Sequence, residues 1–320
     1  MSTTRKVTRN KGEICQPTDD FEVTVVIATY HPDWGNFRET IQSIVMQEGI
    51  SLQLILTDDG SEESYFTKAE EYLKANNFSN YKLVTHAQNS GTVKNVLDAL
   101  RKAEGKYVKL ISPGDYLKGK DVLRNWIDYL KDSGYNWSFA NAIYYTRESG
   151  KKKILKHGTH PENLRPYRRD DIMQCRWNYF VFDDTAAAPA VVCRTDVLLD
   201  YLERICDKII YLEDHAFRMM MFENNVGVYY PRDVVFYECG ISTGNAYCDD
   251  WEKKVRADWN AMNEILLQNK ADFDTFQTKM MDSRMKYAQY STSKDRKRRF
   301  LVKGYLWFWL HLKLSRFIDS

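Results

Sequence analysis

VTVVIAT, Val23 to Thr29, is the stretch on which the fold turns. Seven residues, β-branched and nearly all apolar, read as a strand buried on both faces, because a surface strand would alternate apolar with polar positions. The pattern then changes period. NFRETIQSIVMQ (Asn36 to Gln47) puts Phe37, Ile41, Ile44 and Val45 on one helical face. LQLILT (Leu52 to Thr57) is a second strand ending at DDGS, and EESYFTKAEEYLKA a second helix. YKLVTH (Tyr81 to His86) is a third strand, and TVKNVLDALRKA a third helix with Val93, Val96, Leu97 and Leu100 at helical spacing. YVKLI (Tyr107 to Ile111) is a fourth strand, and it stops at Ser112-Pro113-Gly114-Asp115.

Strand and helix in strict alternation predict right-handed crossovers and a mostly parallel α/β sheet, Rossmann-like, with helices on both faces. Ligands of such sheets bind beyond the carboxyl ends of the strands. Four strand ends therefore converge: Thr29-Tyr30, Asp58 to Ser61, His86 to Gly91, and Ser112 to Asp115. The rhythm dissolves after about residue 135. WSFANAIYYT reads as a strand and APAVVCRTDVLLDYL as a strand or turn followed by a helix. Glu213-Asp214 opens a Met-rich helix, VGVYY and VVFYECG read as two further strands, and residues 250 to 290 are helical and amphipathic. Met219 to Met221 are expected in the core, and His215 as a satisfied helix residue.

Composition narrows the class. At 320 residues with 43% apolar content the chain can bury a large core plus an appendage. The formal charge is +2, yet residues 294 to 320 hold eight Lys/Arg against two Asp, a local +6 that leaves −4 elsewhere. Six cysteines without a CxxC pair, and no recognisable secretory leader, lead us to expect reduced thiols in the cytoplasm. No apolar run reaches the roughly 18 residues of a spanning helix. His157 and His160 have no Cys or His nearby to complete a zinc set and read as solvated loop residues. A dehydrogenase would need G-x-G-x-x-G after the first strand, and none is there.

The ordered motifs resemble the family 2 glycosyltransferases, which are inverting enzymes of the GT-A fold using nucleotide-sugar donors. VVIATYHPD resembles the family's first strand and turn, TDDGS its nucleotide-reading VDDGS, and QNSGTVKNVLDAL its N-x-G segment. YVKLISPGDYL stands at the metal-site strand, YLEDHAFRMM at the catalytic ED motif, and ECGISTG at the segment after it. Together they span residues 20 to 245. Residues 1–20, polar and charged, read as a flexible arm; the resemblance implies a GT-A catalytic domain over 21–248, and the helical pattern beyond it an extension over 249–320.

It also implies roles. Asp58 and Asp59 can accept hydrogen bonds from a base N–H and a ribose hydroxyl, although an Asx-turn would place the same residues there. Thr29 and Tyr30 line that edge, and Lys94 stands where the family often has an arginine near the diphosphate. It would act as a point charge without the arginine fork. The family reads D-x-D-D where this chain has Ser112-Pro113-Gly114-Asp115, so only Asp115 is left to hold Mg²⁺ or Mn²⁺. Metal dependence is therefore open, and a non-catalytic nucleotide- or glycan-binding relative is the alternative. Asp214 is the implied general base for the acceptor hydroxyl, with Glu213 supporting it.

The donor implied is a UDP-sugar, and the acceptor a glycan or lipid-linked oligosaccharide of a surface polysaccharide. In the tail, Leu301, Tyr305, Phe308 and Leu312 form one helical stripe, while Trp307 and Trp309 lie elsewhere around the helix. Aromatic residues beside a basic run suit an anionic bilayer surface. We expect a peripheral protein on the inner face of the cell membrane; the alternative is a helix docked on the catalytic domain or a second subunit. Nucleic acid is not expected, because no binding fold accompanies the basic run.

Overall fold

The computed structural model describes residues 21–148, 150–239, 249–290 and 293–318. The expected arm over 1–20 and most of the ECGISTG segment, from Gly240, lie outside the described residues. The first half follows the alternation: β1 (Val23–Thr29), α1 (Trp34–Val45), β2 (Leu52–Asp58), α2 (Phe66–Ala75), β3 (Tyr81–Thr85), α3 (Thr92–Leu100) and β4 (Tyr107–Ile111). Asp33 starts α1 by accepting the Asn36 N–H at 2.9 Å. That cap sets α1 two residues earlier than its apolar face suggests. EESY is not helical, and α2 begins only at Phe66.

The second half comprises β5 (Tyr116–Leu117), α4 (Val122–Ser133), β6 (Trp137–Glu148), β7 (Lys151–Gly158), α5 (Ile172–Phe182), β8 (Val191–Arg194), α6 (Thr195–Ile205), α7 (His215–Phe222) and β9 (Val228–Glu238). Helices α8 (Asp249–Gln268), α9 (Thr275–Gln289) and α10 (Tyr305–Ile318) follow, with a 3₁₀ segment over Ser293–Leu301. The nine strands form one mixed sheet ordered β3-β2-β1-β4-β8-β6-β9-β5, with β7 on the side of β6. β1, β2, β3 and β4 pair in parallel, as do β6 and β9, and the remaining pairings are antiparallel.

The two strands expected at VGVYY and VVFYECG are one. β9 runs through Pro231, and its register against β6 slips so that Tyr230 faces Ala140 while Asp233 faces Asn141. Proline lacks the N–H a ladder needs, and the bulge carries Pro231 and Arg232 past without breaking the strand. His157 also departs from expectation. It belongs to strand β7 and faces Asp233 at 3.2 Å.

One core lies on each sheet face. α1, α2 and α4 cover one face with Phe37, Ile41, Leu73, Leu123 and Trp126. α3, α5, α6 and α7 cover the other, where Met219, Met220 and Met221 are buried as expected. α8 and α9 contribute Met262, Leu266, Met280 and Met281 to this second core. Each such side chain stabilises the fold by about 1.5–3 kcal/mol through burial. α10 is docked too: Phe308 stacks on Phe182 at 4.6 Å, and Ser315 donates to Asn163 at 2.8 Å. The opposite side of α10 leaves Leu306, Trp307, Trp309, Leu310, Leu314 and Phe317 exposed.

Candidate active site

A cavity of about 190 Å³ opens at the carboxyl ends of β1, β2 and β4. Thr29 and Tyr30 from β1, Asp59 from the β2 turn, and Ser112, Pro113 and Asp115 from the β4 turn meet there. The first turn of α3 adds Thr92 and Asn95; Glu213 and Glu238 close the far wall.

Both paired aspartates are held by hydrogen bonds from neighbouring turns. Asp58 is buried, and its carboxylate accepts the Thr29 hydroxyl (3.0 Å), the Ser61 hydroxyl (2.7 Å) and the Ser61 N–H (3.0 Å). It therefore closes the DDGS turn as an Asx-turn does. Asp59 accepts the N–H and hydroxyl of Ser90 at 2.8 and 2.9 Å and the Gly91 N–H at 2.9 Å, tying the β2 turn to the start of α3. Gly91 has φ +92, and a Cβ there would stand 2.6 Å from the Ile210 carbonyl oxygen, so the junction requires glycine. Asp59 lines the cavity and Asp58 stands behind it. Lys94 is exposed on α3 and does not line the cavity; Thr92 and Asn95 take that wall.

The Asp115 loop is anchored on all sides. The Asp115 carboxylate accepts the Glu238 N–H at 2.9 Å, its carbonyl accepts the Thr40 hydroxyl at 2.7 Å, and the Tyr145 hydroxyl bonds the Gly114 carbonyl. Gly114 has φ +102, with the Glu238 carboxylate 2.5 Å from where a Cβ would be. Arg147 donates to Glu238 at 2.9 Å and to Glu39 at 2.6 Å, which fixes that carboxylate. Burial pushes the Asp115 carboxyl up to about 7, against the Glu238 N–H and the Lys109 ammonium, which favour the charged form. Lys109 is fully buried beneath the loop and bonds the carbonyls of Leu110 (2.7 Å) and Pro189 (2.6 Å). Burial pushes its amine down to about 7.

Among the described residues no group of three His, Cys, Asp or Glu side chains is placed to hold a metal ion. Asp115 turns an oxygen to backbone, and Glu238 is committed to Arg147. The protein therefore offers a divalent cation little more than the second Asp115 oxygen, and the remaining ligands would have to come from substrate phosphates and water.

Of the acidic pair before α7, Glu213 lines the cavity and Asp214 turns inward. Asp214 Oδ1 is buried with no hydrogen-bond partner among the described residues. Burial raises both carboxyls, and each also feels a like charge, Asp214 acting on Glu213 and Asp258 on Asp214; Arg218 opposes the rise at Asp214. His215, expected to be satisfied, has a buried Nε2 without a partner and sets its ring edge-on to Trp259 at 4.7 Å.

Two supports were not legible in the sequence. Asp258 of α8, 2% exposed, accepts the N–H groups of Ile210 (3.1 Å), Tyr211 (2.7 Å) and Leu212 (3.0 Å), the three residues before Glu213. Asp183 pairs with Arg218 of α7 (3.0 Å) and with Arg284 of α9, and both guanidiniums lie over the Trp259 ring, at 4.4 and 4.8 Å. Lys109 did carry a signal, a lysine inside an otherwise apolar strand. Glu238 is legible in the sequence only as a member of the VVFYECG strand and the ECGISTG segment, with no sign that it faces the Asp115 loop.

A family model described as "Glycosyl transferase family 2" matches residues 24–189, just over half of the chain. No curated protein matched the chain. Among solved structures, S. aureus TarS is similar with a TM-score of 0.56 at 17% identity, over 88% of this chain and 45% of that one. The chain thus spans less than half the length of that relative. TarS 1-349 in complex with UDP-GlcNAc gives 0.54 at 16% identity, covering 92% of this chain and 79% of the other. The mannosyltransferase PcManGT from Pyrobaculum calidifontis, in complex with GDP-Man and Mn²⁺, gives 0.51 at 13% identity, covering 95% and 88%. At these identities the likeness establishes a common fold.

Proposed function

The chain belongs to glycosyl transferase family 2 and is a nucleotide-sugar glycosyltransferase, and from that premise we propose that it carries a sugar from a UDP donor to a hydroxyl of a glycan or lipid-linked oligosaccharide, with inversion. The single observation that carries this reading is the cavity where Asp59, Asp115 and Glu213 meet at the carboxyl edge of the sheet. TarS, a structure of similar fold, was solved with UDP-GlcNAc, and this favours uridine in the donor.

In the proposed reaction Thr29, Tyr30 and Asp59 hold the nucleoside, and the Asp115 loop faces the diphosphate. The acceptor oxygen gives its proton to Asp214 and bonds to the anomeric carbon. The bond from that carbon to the diphosphate oxygen breaks, and the nucleotide leaves with the electron pair. No step is routed through a metal; a cation bridging the diphosphate would draw on Asp115 alone among the side chains and would stabilise the charge of the leaving nucleotide. The unpartnered Asp214 Oδ1 has no competing donor to give up, so a turn of that side chain toward the cavity would bring it to the acceptor hydroxyl. A second reading makes Glu213 the base, favoured by its place on the cavity wall.

Both readings are tested by the release of nucleotide diphosphate in the presence of acceptor. Asp214→Asn should lower turnover by about 10²–10⁴ while donor affinity is kept. If Glu213→Gln shows that loss and Asp214→Asn does not, the second reading holds. Full activity in both variants would sink each.

We also propose that α10 rests on the anionic inner face of the cell membrane, placing the enzyme where a lipid-linked acceptor would be. The exposed apolar side of α10, flanked by Lys303 and Lys313, supports this. Among the described residues no helix is long and apolar enough to cross a membrane.

A further inference from the structure

A second, larger hollow lies far along the chain from the catalytic loops. It has a volume of about 720 Å³ and runs between α5, α9 and the turn that enters α10. That size is within the range of about 300–1,000 Å³ typical of small-ligand sites. Its apolar wall is made by Met173, Trp177, Phe276, Leu301 and Trp307, with the Trp177 and Phe276 rings 6.1 Å apart. Leu301 and Trp307 are 76% and 59% exposed, so the hollow lacks an apolar cover.

Its charge is uneven. Lys279 and Lys286 stand seven residues apart on one side of α9, and Lys303 faces them from the turn. None of the three forms an ion pair among the described residues. Asp171 and Asp282 also line the hollow, but Asp171 is engaged in capping α5, accepting the Gln174 N–H at 3.0 Å. Three positive charges against two negative leave a net charge of +1, matched by one monoanionic head. Trp307 belongs both to this hollow and to the exposed side of α10 that continues through Leu310 and Leu314.

We infer that this groove binds one anionic phospholipid, its phosphate on Lys279, Lys286 and Lys303 and an acyl chain along Trp177 and Trp307. The inference rests on the proposed membrane contact of α10. That contact would let a lipid slide from the bilayer into the groove along an unbroken apolar path. Indoles beside lysines suit this occupant, since the rings take the chain near the glycerol while ammonium groups take the phosphate.

The test uses monomeric dihexanoyl phosphatidylglycerol and the full chain, followed by calorimetry. One equivalent should bind saturably, with dihexanoyl phosphatidylcholine and glycerol 3-phosphate each at least tenfold weaker. Lys279→Glu with Lys286→Glu should weaken binding at least tenfold, and Ser283→Trp, which fills the groove, should abolish it. Among the described residues the exposed lysines have no ion-pair partners to lose, so circular dichroism and melting temperature should be unchanged. Sedimentation with phosphatidylglycerol vesicles tests the membrane contact separately. Vesicle binding without saturable binding of the monomeric lipid overturns the groove and spares the contact; the reverse overturns the contact and spares the groove. Equal binding by the charge-reversed variant, or glycerol 3-phosphate as tight as the lipid, also overturns the inference.

Discussion

Asp258→Ala removes one buried carboxylate and strands three backbone N–H groups, those of Ile210, Tyr211 and Leu212. An unsatisfied buried donor costs about 1–3 kcal/mol, more when its lost acceptor was charged. The three residues are only partly buried, so water can reach some of the freed groups, and the low end of the range applies to each. The expected loss is therefore about 3–5 kcal/mol, a large share of the roughly 5–15 kcal/mol that holds a domain together. Asp258→Asn separates stability from catalysis. Its carbonyl can still accept one or two N–H groups, but its amide presents donors to a donor. The loop should loosen without the domain unfolding, and Glu213 should lose its position against the cavity. A displacement of about 1 Å at a reacting group costs on the order of 10²-fold in rate. Urea unfolding and steady-state turnover of both variants provide the measurement. Wild-type turnover in Asp258→Asn, together with a stability loss under about 1 kcal/mol in Asp258→Ala, would refute the reasoning.

Three further outcomes are expected. Asp58→Ala and Asp59→Ala should each weaken nucleotide binding by roughly 1–3 kcal/mol, because each releases the hydroxyl and amide groups that shape its turn; unchanged affinity by calorimetry would remove this loop from the donor site. The Asp115 carboxyl rises from an ordinary 3.8 to about 7 in the folded chain, so its stabilising contribution is present at acid pH and is lost as pH rises through about 7. Without added metal, Asp115→Asn should flatten the fall in melting temperature across that window, and an unaltered slope would show that the group does not titrate there. Removing residues 294–320 strips Tyr305 and Phe308 from Phe182 and should cost about 3–6 kcal/mol at about 1.5–3 per ring. The shortened chain should stay folded and no longer sediment with anionic vesicles, whereas insolubility would mean that docking is the only role of α10.

The legible part of this fold is the part built from neighbours in sequence. β1 to β4 are short, buried on both faces and separated by amphipathic helices, so periodicity alone locates them, and their order brings Thr29, Asp59 and Asp115 to one edge. β6, β8 and β9 pair across long intervals of chain, and no local pattern records that. Pro231 even argues locally against the strand that contains it. Within the site, residue type was legible and orientation was not. An Asp-Asp pair announces a strand-end turn but not which carboxylate faces the cavity, and Glu213-Asp214 hides the same ambiguity at a helix start. Asp258 gave no sign, since its partners are the backbones of residues nearly fifty positions earlier. Lys94 illustrates the converse, a residue type that fits a role at a position facing solvent.

Asp258 and the Trp259 ring gripped by Arg218 and Arg284 also set a schedule for the growing chain. A ribosome completes β9 before it makes α8, so the sheet and its proposed donor edge can form while the Ile210-to-Leu212 corner before Glu213 still lacks its anchor. At about 5–20 residues per second, the nascent protein spends seconds with the proposed acceptor side unfinished. Donor capture can precede transfer competence during that interval. Stalled chains released at residue 248 should accordingly retain nucleotide binding and lack turnover, and turnover in such chains would show that the corner sets itself without α8.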